Sequence, residues 1–160
     1  MRKALLAIFL FFSFNLYGAG AKIDIPKYDW SWKGFFGTYD RASAQRGLKV
    51  YREVCAGCHS MNYLSYRNLA DLGFSEDHIK AIAAEHLVLD GPNDEGEMFE
   101  RDGIPSDQFV NPYLNEKAAR AANNGAYPPD LSLIVKARPK GADYIKALLL
   151  SLIHISEPTR

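Results

Sequence analysis

The feature that most constrains this chain is the segment Cys55-Ala56-Gly57-Cys58-His59, which contains both of its cysteines. C-x-x-C-H is the signature of covalent haem attachment. Two thiols must each reach one vinyl group of the same porphyrin, and the histidine that follows can then become an axial ligand of the iron. We therefore predict that Cys55 and Cys58 hold one covalent haem c and that His59 is its proximal iron ligand.

Two other kinds of site use a C-x-x-C pair. A dithiol redox centre usually lies in a thioredoxin-like βαβ unit, whereas the segment before Cys55 has a helical pattern. A tetrahedral zinc site needs four ligands, and the sequence has no second cysteine pair. Haem attachment is the interpretation that the motif favours.

The N-terminus has the pattern of a secretory signal peptide, which we assign to residues 1–21. Two basic residues precede an apolar run over residues 4–14, and the small residues 19–21 provide a cleavage site. The alternative is an uncleaved anchor, although the run is shorter than the roughly 20 residues that span a bilayer. Export agrees with haem attachment outside the cytoplasm, so we expect a bacterial protein on the periplasmic side of the inner membrane.

Charge and length exclude some classes of function. The 19 basic and 19 acidic residues balance, so the chain has no overall attraction for nucleic acid or anionic lipid. The length after the signal peptide allows one domain with a single core. We predict an exported haem domain over residues 22–150.

Capping residues and apolar spacing predict a mostly helical domain. A helix is expected from Asp40 or Ser43 to about Cys55. Its apolar stripe is predicted to consist of Gly47, Val50, Tyr51 and Val54. Gly47 then marks either a close crossing by another helix or a tolerated surface glycine.

The rest of the chain divides into four further helices and two irregular segments. The expected helices run from Tyr63 to Leu72, from Ser75 to His86, from Glu116 to Ala122 and from Asp143 to Leu150. The aromatic-rich segment Ile23–Tyr39 should wrap over the core in an extended form. Asp90–Phe109 is expected to be a long acidic loop, either solvated or a surface that steers a basic redox partner.

Polar side chains suited to haem propionates lie near the helix that Asn115 caps. These hydrogen-bond donors are Arg120, Asn123, Asn124 and Tyr127. The prolines that follow, Pro128 and Pro129, force an extended backbone because each fixes its own φ and constrains the residue before it.

Three stretches of the sequence resemble the cytochrome c1 family, the haem subunits of the cytochrome bc1 complex. They are FGTYDRASAQRGLKVYREVCAGCHSMNYLSYRNL, DGPNDEGEMF and NPYLNEKAARAANNGAYPPDLSLIVKARPKGADYIKALL. The resemblance implies a mostly α, class I-type cytochrome c fold with long loops. It also implies that Arg120, Asn123, Asn124 and Tyr127 line the propionates, and that Pro128 and Pro129 cover the haem edge.

The resemblance further implies an electron-transfer role and a set of partners. In the family, the haem accepts electrons from the Rieske iron–sulfur subunit and passes them to a soluble cytochrome c, in a membrane complex that includes cytochrome b. Such a chain is not an enzyme by itself. The alternatives are a free periplasmic c-type cytochrome and a haem enzyme with an open iron site.

The end of the chain departs from the family pattern. The family continues into a methionine that is the distal iron ligand and into a C-terminal membrane anchor. Residues 151–160 do not match it and are expected to be an artefactual tail. We therefore expect a haem domain that is truncated before its C-terminal helix and anchor, with the distal ligand missing.

Overall fold

The computed structural model describes residues 25–150, so the predicted signal peptide and the predicted tail lie outside the described residues. Helices form most of its regular structure, and the prediction of a mostly α fold is confirmed. Between residues 25 and 150, none of the helices is long and apolar enough to cross a membrane. The elements are α1 (Arg41–Val50), a π-helical turn (Tyr51–Cys55), a 3₁₀-helix (Tyr66–Leu72), α2 (Glu76–Ala84), β1 (Leu87–Asp90), β2 (Phe99–Asp102), α3 (Glu116–Ala122), α4 (Ile134–Ala137) and α5 (Ala142–Leu149).

Helix α1 begins where its capping residue predicts. The Asp40 carboxylate accepts a hydrogen bond of 3.2 Å from the backbone N–H of Ser43, which satisfies one of the free donors of the first turn. The helical path continues through the π-helical turn to Cys55. The predicted extent of this helix is therefore confirmed.

The predicted apolar stripe of α1 is wrong. Val50 and Val54 are 54% and 71% exposed, whereas Tyr51 is 7% exposed and packs in the core with Leu48 and Cys55. Apolar residues fill five of the eight positions from 48 to 55, so helical spacing alone fits more than one face. Among the described residues, no atom lies within 4 Å of a Cβ added at Gly47, so none of the described helices crosses closely at that position.

The core lies where α2 and the 3₁₀-helix pack against the end of α1. The 3₁₀-helix ends at Gly73, whose φ of 88° is the left-handed conformation that glycine adopts without strain. Ser75 caps α2 as predicted, although the helix ends at Ala84 rather than at His86. The buried cluster consists of Tyr51, Tyr66, Leu69, Ile79, Ile82, Ala83 and Phe109.

The predicted acidic loop Asp90–Phe109 includes the turn and the second strand of a β-hairpin, whose first strand ends at Asp90. Strands β1 and β2 pair antiparallel with Val88 opposite Arg101. Arg101 donates to Asp90 and, at 2.7 and 3.0 Å, to both carboxylate oxygens of Asp107. The arginine therefore ties the hairpin to the chain that follows it. Sequence reasoning missed the strands because β1 and β2 are each only four residues long and the charges between them suggested a loop.

The aromatic N-terminal segment packs against α5 rather than over the core. The indole Nε1–H of Trp30 donates to the Asp143 carboxylate at 2.6 Å, and the backbone N–H of Tyr28 donates to the same oxygen at 3.3 Å. Trp30 stacks on Trp32 with ring centroids 4.5 Å apart. None of the described residues of this segment belongs to the core cluster. The hydrogen bonds to Asp143 fix the position of the aromatic segment, and the pattern of aromatic residues in the sequence does not predict them.

Candidate functional site

The C-x-x-C-H motif begins at Cys55, the last residue of the π-helical turn that follows α1. Backbone hydrogen bonds to the Cys55 carbonyl come from the N–H of Cys58 at 3.1 Å and of His59 at 2.8 Å. They wrap the motif into a tight turn directly after the helix. Both cysteines are free thiols; Cys55 is half-buried and Cys58 is exposed. The two thiols therefore remain available for covalent attachment.

The His59 ring has a defined hydrogen-bond partner. Its Nδ1 lies 2.8 Å from the carbonyl oxygen of Pro129. A carbonyl oxygen can only accept, so Nδ1 carries a proton and donates it; in the neutral imidazole, Nε2 is then the unprotonated nitrogen. This is the tautomer that a metal-binding imidazole needs, because the remaining ring nitrogen then has a free lone pair. His59 is thus prepared to bind iron through Nε2.

A tyrosine of the core supports the same turn. The Tyr51 hydroxyl donates to the backbone carbonyl of His59 at 3.2 Å. Burial is the main cause that raises the pKa of Tyr51 to about 12, so the hydroxyl keeps its proton and its donor role at neutral pH. The backbone of the candidate ligand is therefore tied directly to the buried cluster.

The segment that contains Pro129 lies across the segment that follows the motif, and Asp130 joins them. Its Oδ2 accepts from the Ser60 hydroxyl and from the backbone N–H of Asn62, each at 2.8 Å. Its Oδ1 accepts from the backbone N–H of Ser132 at 2.8 Å. Although burial by itself raises the pKa of Asp130, these hydrogen bonds lower it below the ordinary value of 3.8. Asp130 is consequently an ionised clamp between two distant parts of the chain.

The structure brings Arg120 and Tyr127 together. The Arg120 guanidinium pairs with Glu116 at 2.7 Å, donates to the Gly125 carbonyl at 2.9 Å and lies 5.7 Å from the centroid of the Tyr127 ring. Arg120 is half-exposed, with a relative side-chain exposure of 48%. In this arrangement the guanidinium is held by its own helix and by the turn that ends it.

The two asparagines have local structural roles. The predicted helix Glu116–Ala122 is present, and the Asn123 amide donates to the Ala119 carbonyl at 2.7 Å and to the Tyr113 hydroxyl at 3.0 Å. Asn124 has a φ of 51°, in the left-handed region that asparagine tolerates better than most residues. These contacts end α3 and turn the chain toward the prolines.

A cleft of about 100 Å³ lies beside the motif. Cys58, Tyr127 and Pro128 all line it, together with Ser60 and Asn62. Of the predicted site residues, the structure thus brings Cys58, Tyr127 and Pro128 to one cleft and Pro129 to His59. Arg120, Asn123 and Asn124 are not among the residues that line this cleft.

Sequence reasoning missed Asp130, Ser60 and Tyr51 as site residues. One local signal was available for Asp130, because an aspartate that accepts from the N–H two residues later forms an Asx-turn. Its partners Ser60 and Asn62 lie 70 and 68 residues away and leave no such signal. The Asp130 clamp therefore depends on contacts between residues far apart in the sequence, which a local sequence pattern does not reveal.

Comparison with known proteins places this site in a family. The model of the Cytochrome C1 family matches residues 30–159. The chain belongs to the cytochrome c1 family. It is 56% identical over 127 residues to cytochrome c1 of Rhodospirillum rubrum, covering 79% of this chain and 47% of the relative. Cytochrome c1-1, heme protein, mitochondrial, of Solanum tuberosum is 57% identical over 79% of this chain and 40% of the relative.

A third relative has a longer chain. The protein named cytochrome b/c1 of Bradyrhizobium diazoefficiens is 54% identical over 74% of this chain and 18% of its own length. The chain thus spans about half or less of the curated relatives cited here. Membership of the cytochrome c1 family confirms the recognition made from the three sequence stretches. The expected haem cofactor is confirmed with it, since relatives in this family are named heme proteins.

Proposed function

We propose that this chain is the haem-bearing part of the electron-transfer subunit of a cytochrome bc1 complex, with a class I-type cytochrome c fold. The observation that carries the proposal is the His59 tautomer: Nδ1–H donates to the Pro129 carbonyl at 2.8 Å and leaves Nε2 free, one residue after the second of two free thiols. This set of groups is what covalent haem c attachment requires.

In the proposed site, Cys55 and Cys58 form thioether bonds. Each thiol would add to one vinyl group of the haem, and its S–H hydrogen would go to the other vinyl carbon as the S–C bond replaces the S–H and π bonds. His59 would hold the iron as the proximal ligand through Nε2, and Pro129 orients its ring. The haem, when bound, supplies a one-electron Fe(III)/Fe(II) couple. The chain's own contribution is therefore to anchor the cofactor and to orient one ligand.

The propionate side of the haem is assigned to residues near the end of α3. Arg120 and Tyr127 support this role by lying within 5.7 Å of each other, which combines a cation with a phenol hydroxyl in one place. Asn123 and Asn124 complete the proposed set, with Pro128 and Pro129 along the haem edge. Because Asn123 already donates to Tyr113 and Ala119, its contribution is to hold the turn rather than to reach a carboxylate.

The proposed partners follow from this role. We assign to the chain an electron donor of the Rieske iron–sulfur type and a soluble cytochrome c as acceptor, within a complex containing cytochrome b at the periplasmic face of a bacterial membrane. The exposed acidic turn between β1 and β2 supports a basic acceptor, since Asp94, Glu95 and Glu97 lie on its surface. By itself the chain moves electrons and catalyses no bond rearrangement of a substrate.

The test is haem loading of histidine and cysteine variants. The full chain is expressed in a host that exports it and attaches c-type haem, and covalent haem is measured by haem staining on a denaturing gel and by the pyridine haemochrome spectrum. We expect Cys55→Ser with Cys58→Ser to abolish covalent haem, because no thioether can form. His59→Gln should lower the amount of stable holoprotein by about tenfold or more, as loss of a metal ligand or its support commonly does.

A second histidine provides the matched control. His78 is exposed on α2, so His78→Gln should leave haem loading unchanged. Equal losses in His59→Gln and His78→Gln would show that histidine content, and not the ligand position, controls accumulation. Covalent haem in the double cysteine variant would contradict the assignment outright.

A further inference from the structure

Asp130 lies at the centre of the contact between the motif and the segment that contains Pro129. We propose that Asp130 is a positioning residue for the proximal ligand: by holding the peptide unit that carries the Pro129 carbonyl, it sets the orientation and donor strength of the His59 imidazole. This inference rests on the proposed haem site and extends it to a residue that does not touch the ring.

Five hydrogen bonds join the two segments around the His59 contact. Two of them end on the Asp130 carboxylate, from the Ser60 hydroxyl and the Asn62 N–H, both at 2.8 Å. A further bond to this carboxylate, from the Ser132 N–H at 2.8 Å, lies within the Pro129 segment and shapes it. Across the gap, the Leu131 N–H donates to the Ser60 carbonyl at 2.9 Å, the Tyr63 N–H donates to the Ser132 hydroxyl at 3.0 Å and His59 reaches Pro129 at 2.8 Å.

The Pro129 carbonyl cannot move independently of Asp130. Its carbon is bonded to the Asp130 nitrogen, and the peptide unit that includes both is planar. Pro129 has a fixed φ, so the remaining freedom of this carbonyl is rotation of the peptide plane. Because three hydrogen bonds hold the Asp130 carboxylate in place, this peptide plane cannot rotate freely. The prolines make the backbone extended, but Asp130 determines where the carbonyl points.

Only a carboxylate satisfies all three donors of this clamp. Its two oxygens accept without donating, and they match one hydroxyl and two backbone N–H groups. Asparagine has the same shape but presents an NH₂ group in place of one oxygen. In Asp130→Asn, that NH₂ must face either the Ser132 N–H or the Ser60 and Asn62 donors. The substitution therefore loosens the clamp with almost no change of volume.

Loosening the clamp should change the iron potential through His59. A firm Nδ1–H···O=C bond increases the electron donation of Nε2 to a bound metal, which stabilises the ferric state. A weaker bond reduces that donation and raises the midpoint potential. The Asp130 carboxylate accepts from Ser60, Asn62 and Ser132 and not from the His59 ring, so this effect would be transmitted through the two segments that it joins, and to the ring through the Pro129 carbonyl.

The experiment is a potentiometric titration of the full chain with covalent haem. We expect Asp130→Asn to shift the ferrous/ferric equilibrium by roughly threefold to tenfold toward ferrous, equivalent to about 30 to 60 mV for a one-electron couple. Solvent exchange of the His59 Nδ1 proton, followed by NMR, should become faster in the same variant. Ser60→Ala removes one of the three donors and should give a smaller shift in the same direction.

Asp143→Asn is the matched control, because Asp143 likewise accepts backbone and side-chain hydrogen bonds but lies on α5 and holds the aromatic segment. It should leave the potential and the Nδ1 proton exchange unchanged. Equal potentials in Asp130→Asn and the unsubstituted chain would overturn the proposal, as would equal shifts in the Asp130 and Asp143 variants.

If Asp130→Asn does not accumulate with haem, the test uses Ser60→Ala instead. An unchanged midpoint potential in Ser60→Ala would then overturn the inference. Failure of the proposed function looks different. In that case the unsubstituted chain itself would lack covalent haem. If only the positioning role fails, the chain still carries haem, and its midpoint potential is the same with and without the Asp130 substitution.

Discussion

Asp130 and Asp143 clamp distant segments in two regions of the molecule, and their partners differ. Asp130 receives only neutral donors, two backbone N–H groups and one hydroxyl. Asp143 receives the Trp30 indole N–H and the Tyr28 N–H and also lies 3.8 Å from the Lys33 ammonium. The Asp130 clamp therefore consists of hydrogen bonds from neutral groups, whereas the Asp143 clamp also includes an ion pair with Lys33.

The two clamps also hold different things. The Asp130 clamp joins the candidate ligand His59 to its hydrogen-bond partner, so a displacement of Asp130 would also displace the proposed iron ligand. The Asp143 clamp holds an aromatic segment whose tip is open to solvent, with Phe35 95% exposed. Similar side-chain chemistry thus lies beside the proposed cofactor site in one region and supports only packing in the other, and substitutions should separate the two roles.

The largest difference is expected when each carboxylate is removed. Asp130→Ala leaves the Asn62 and Ser132 N–H groups and the Ser60 hydroxyl without their acceptor, which should lower the free energy of unfolding by about 2 kcal/mol. Asp143→Ala should cost less, because it leaves two donors without their acceptor rather than three and the indole remains stacked on Trp32. Urea unfolding of the haem-loaded chain, followed by circular dichroism, measures both. A larger loss in Asp143→Ala would reverse the comparison.

Acid should weaken both clamps over the same pH range. The pKa of Asp143 is lowered below 3.8 mainly by the Trp30 hydrogen bond, with help from Tyr28, Lys33 and Lys140, and hydrogen bonds lower that of Asp130. A folded-state pKa below the unfolded value stabilises the protein above the unfolded value. That contribution is lost as the pH falls below about 4 and through the lowered pKa.

Salt should distinguish the two acid responses. At 1 M salt the Debye length is about 3 Å, so the contribution of Lys33 and Lys140 to Asp143 is screened while the neutral donors of Asp130 are not. Asp143→Asn should flatten the acid limb of the stability curve more at low salt than at high salt. Asp130→Asn should flatten it equally at both. A salt-dependent effect of Asp130→Asn would show that a charge contributes to that clamp.

The sequence predicts well what short-range chemistry determines. Asp40, Ser75 and Asn115 begin helices as expected, because each cap bonds to a residue three positions later. The C-x-x-C-H motif and the family stretches likewise identify the cofactor. The helix Glu116–Ala122 also has its predicted bounds, and Gly125, with a φ of 87°, lies in the turn that follows it.

The sequence predicts poorly what contacts between distant residues determine. The buried face of α1 depends on which side meets the 3₁₀-helix, and apolar residues at Leu48, Val50 and Val54 leave that open. The β-hairpin depends on pairing between two four-residue strands. The Asp130 and Asp143 clamps join residues 68 to 115 positions apart. No local signal gives these partners.

The smallest expected effects concern the outer hydrogen bond of each clamp. Ser132→Ala removes the hydroxyl that accepts from the Tyr63 N–H at 3.0 Å and should cost about 0.5 to 1 kcal/mol, because water can replace it at this exposed position. Trp30→Phe removes the indole donor to Asp143 but keeps a ring on Trp32. Amide hydrogen exchange should show lost protection only at Tyr63 in the first variant and at Tyr28 in the second. Loss of protection at both sites in either variant would mean that the two clamps form one cooperative unit, and the contrast between them would then be one of chemistry but not of stability.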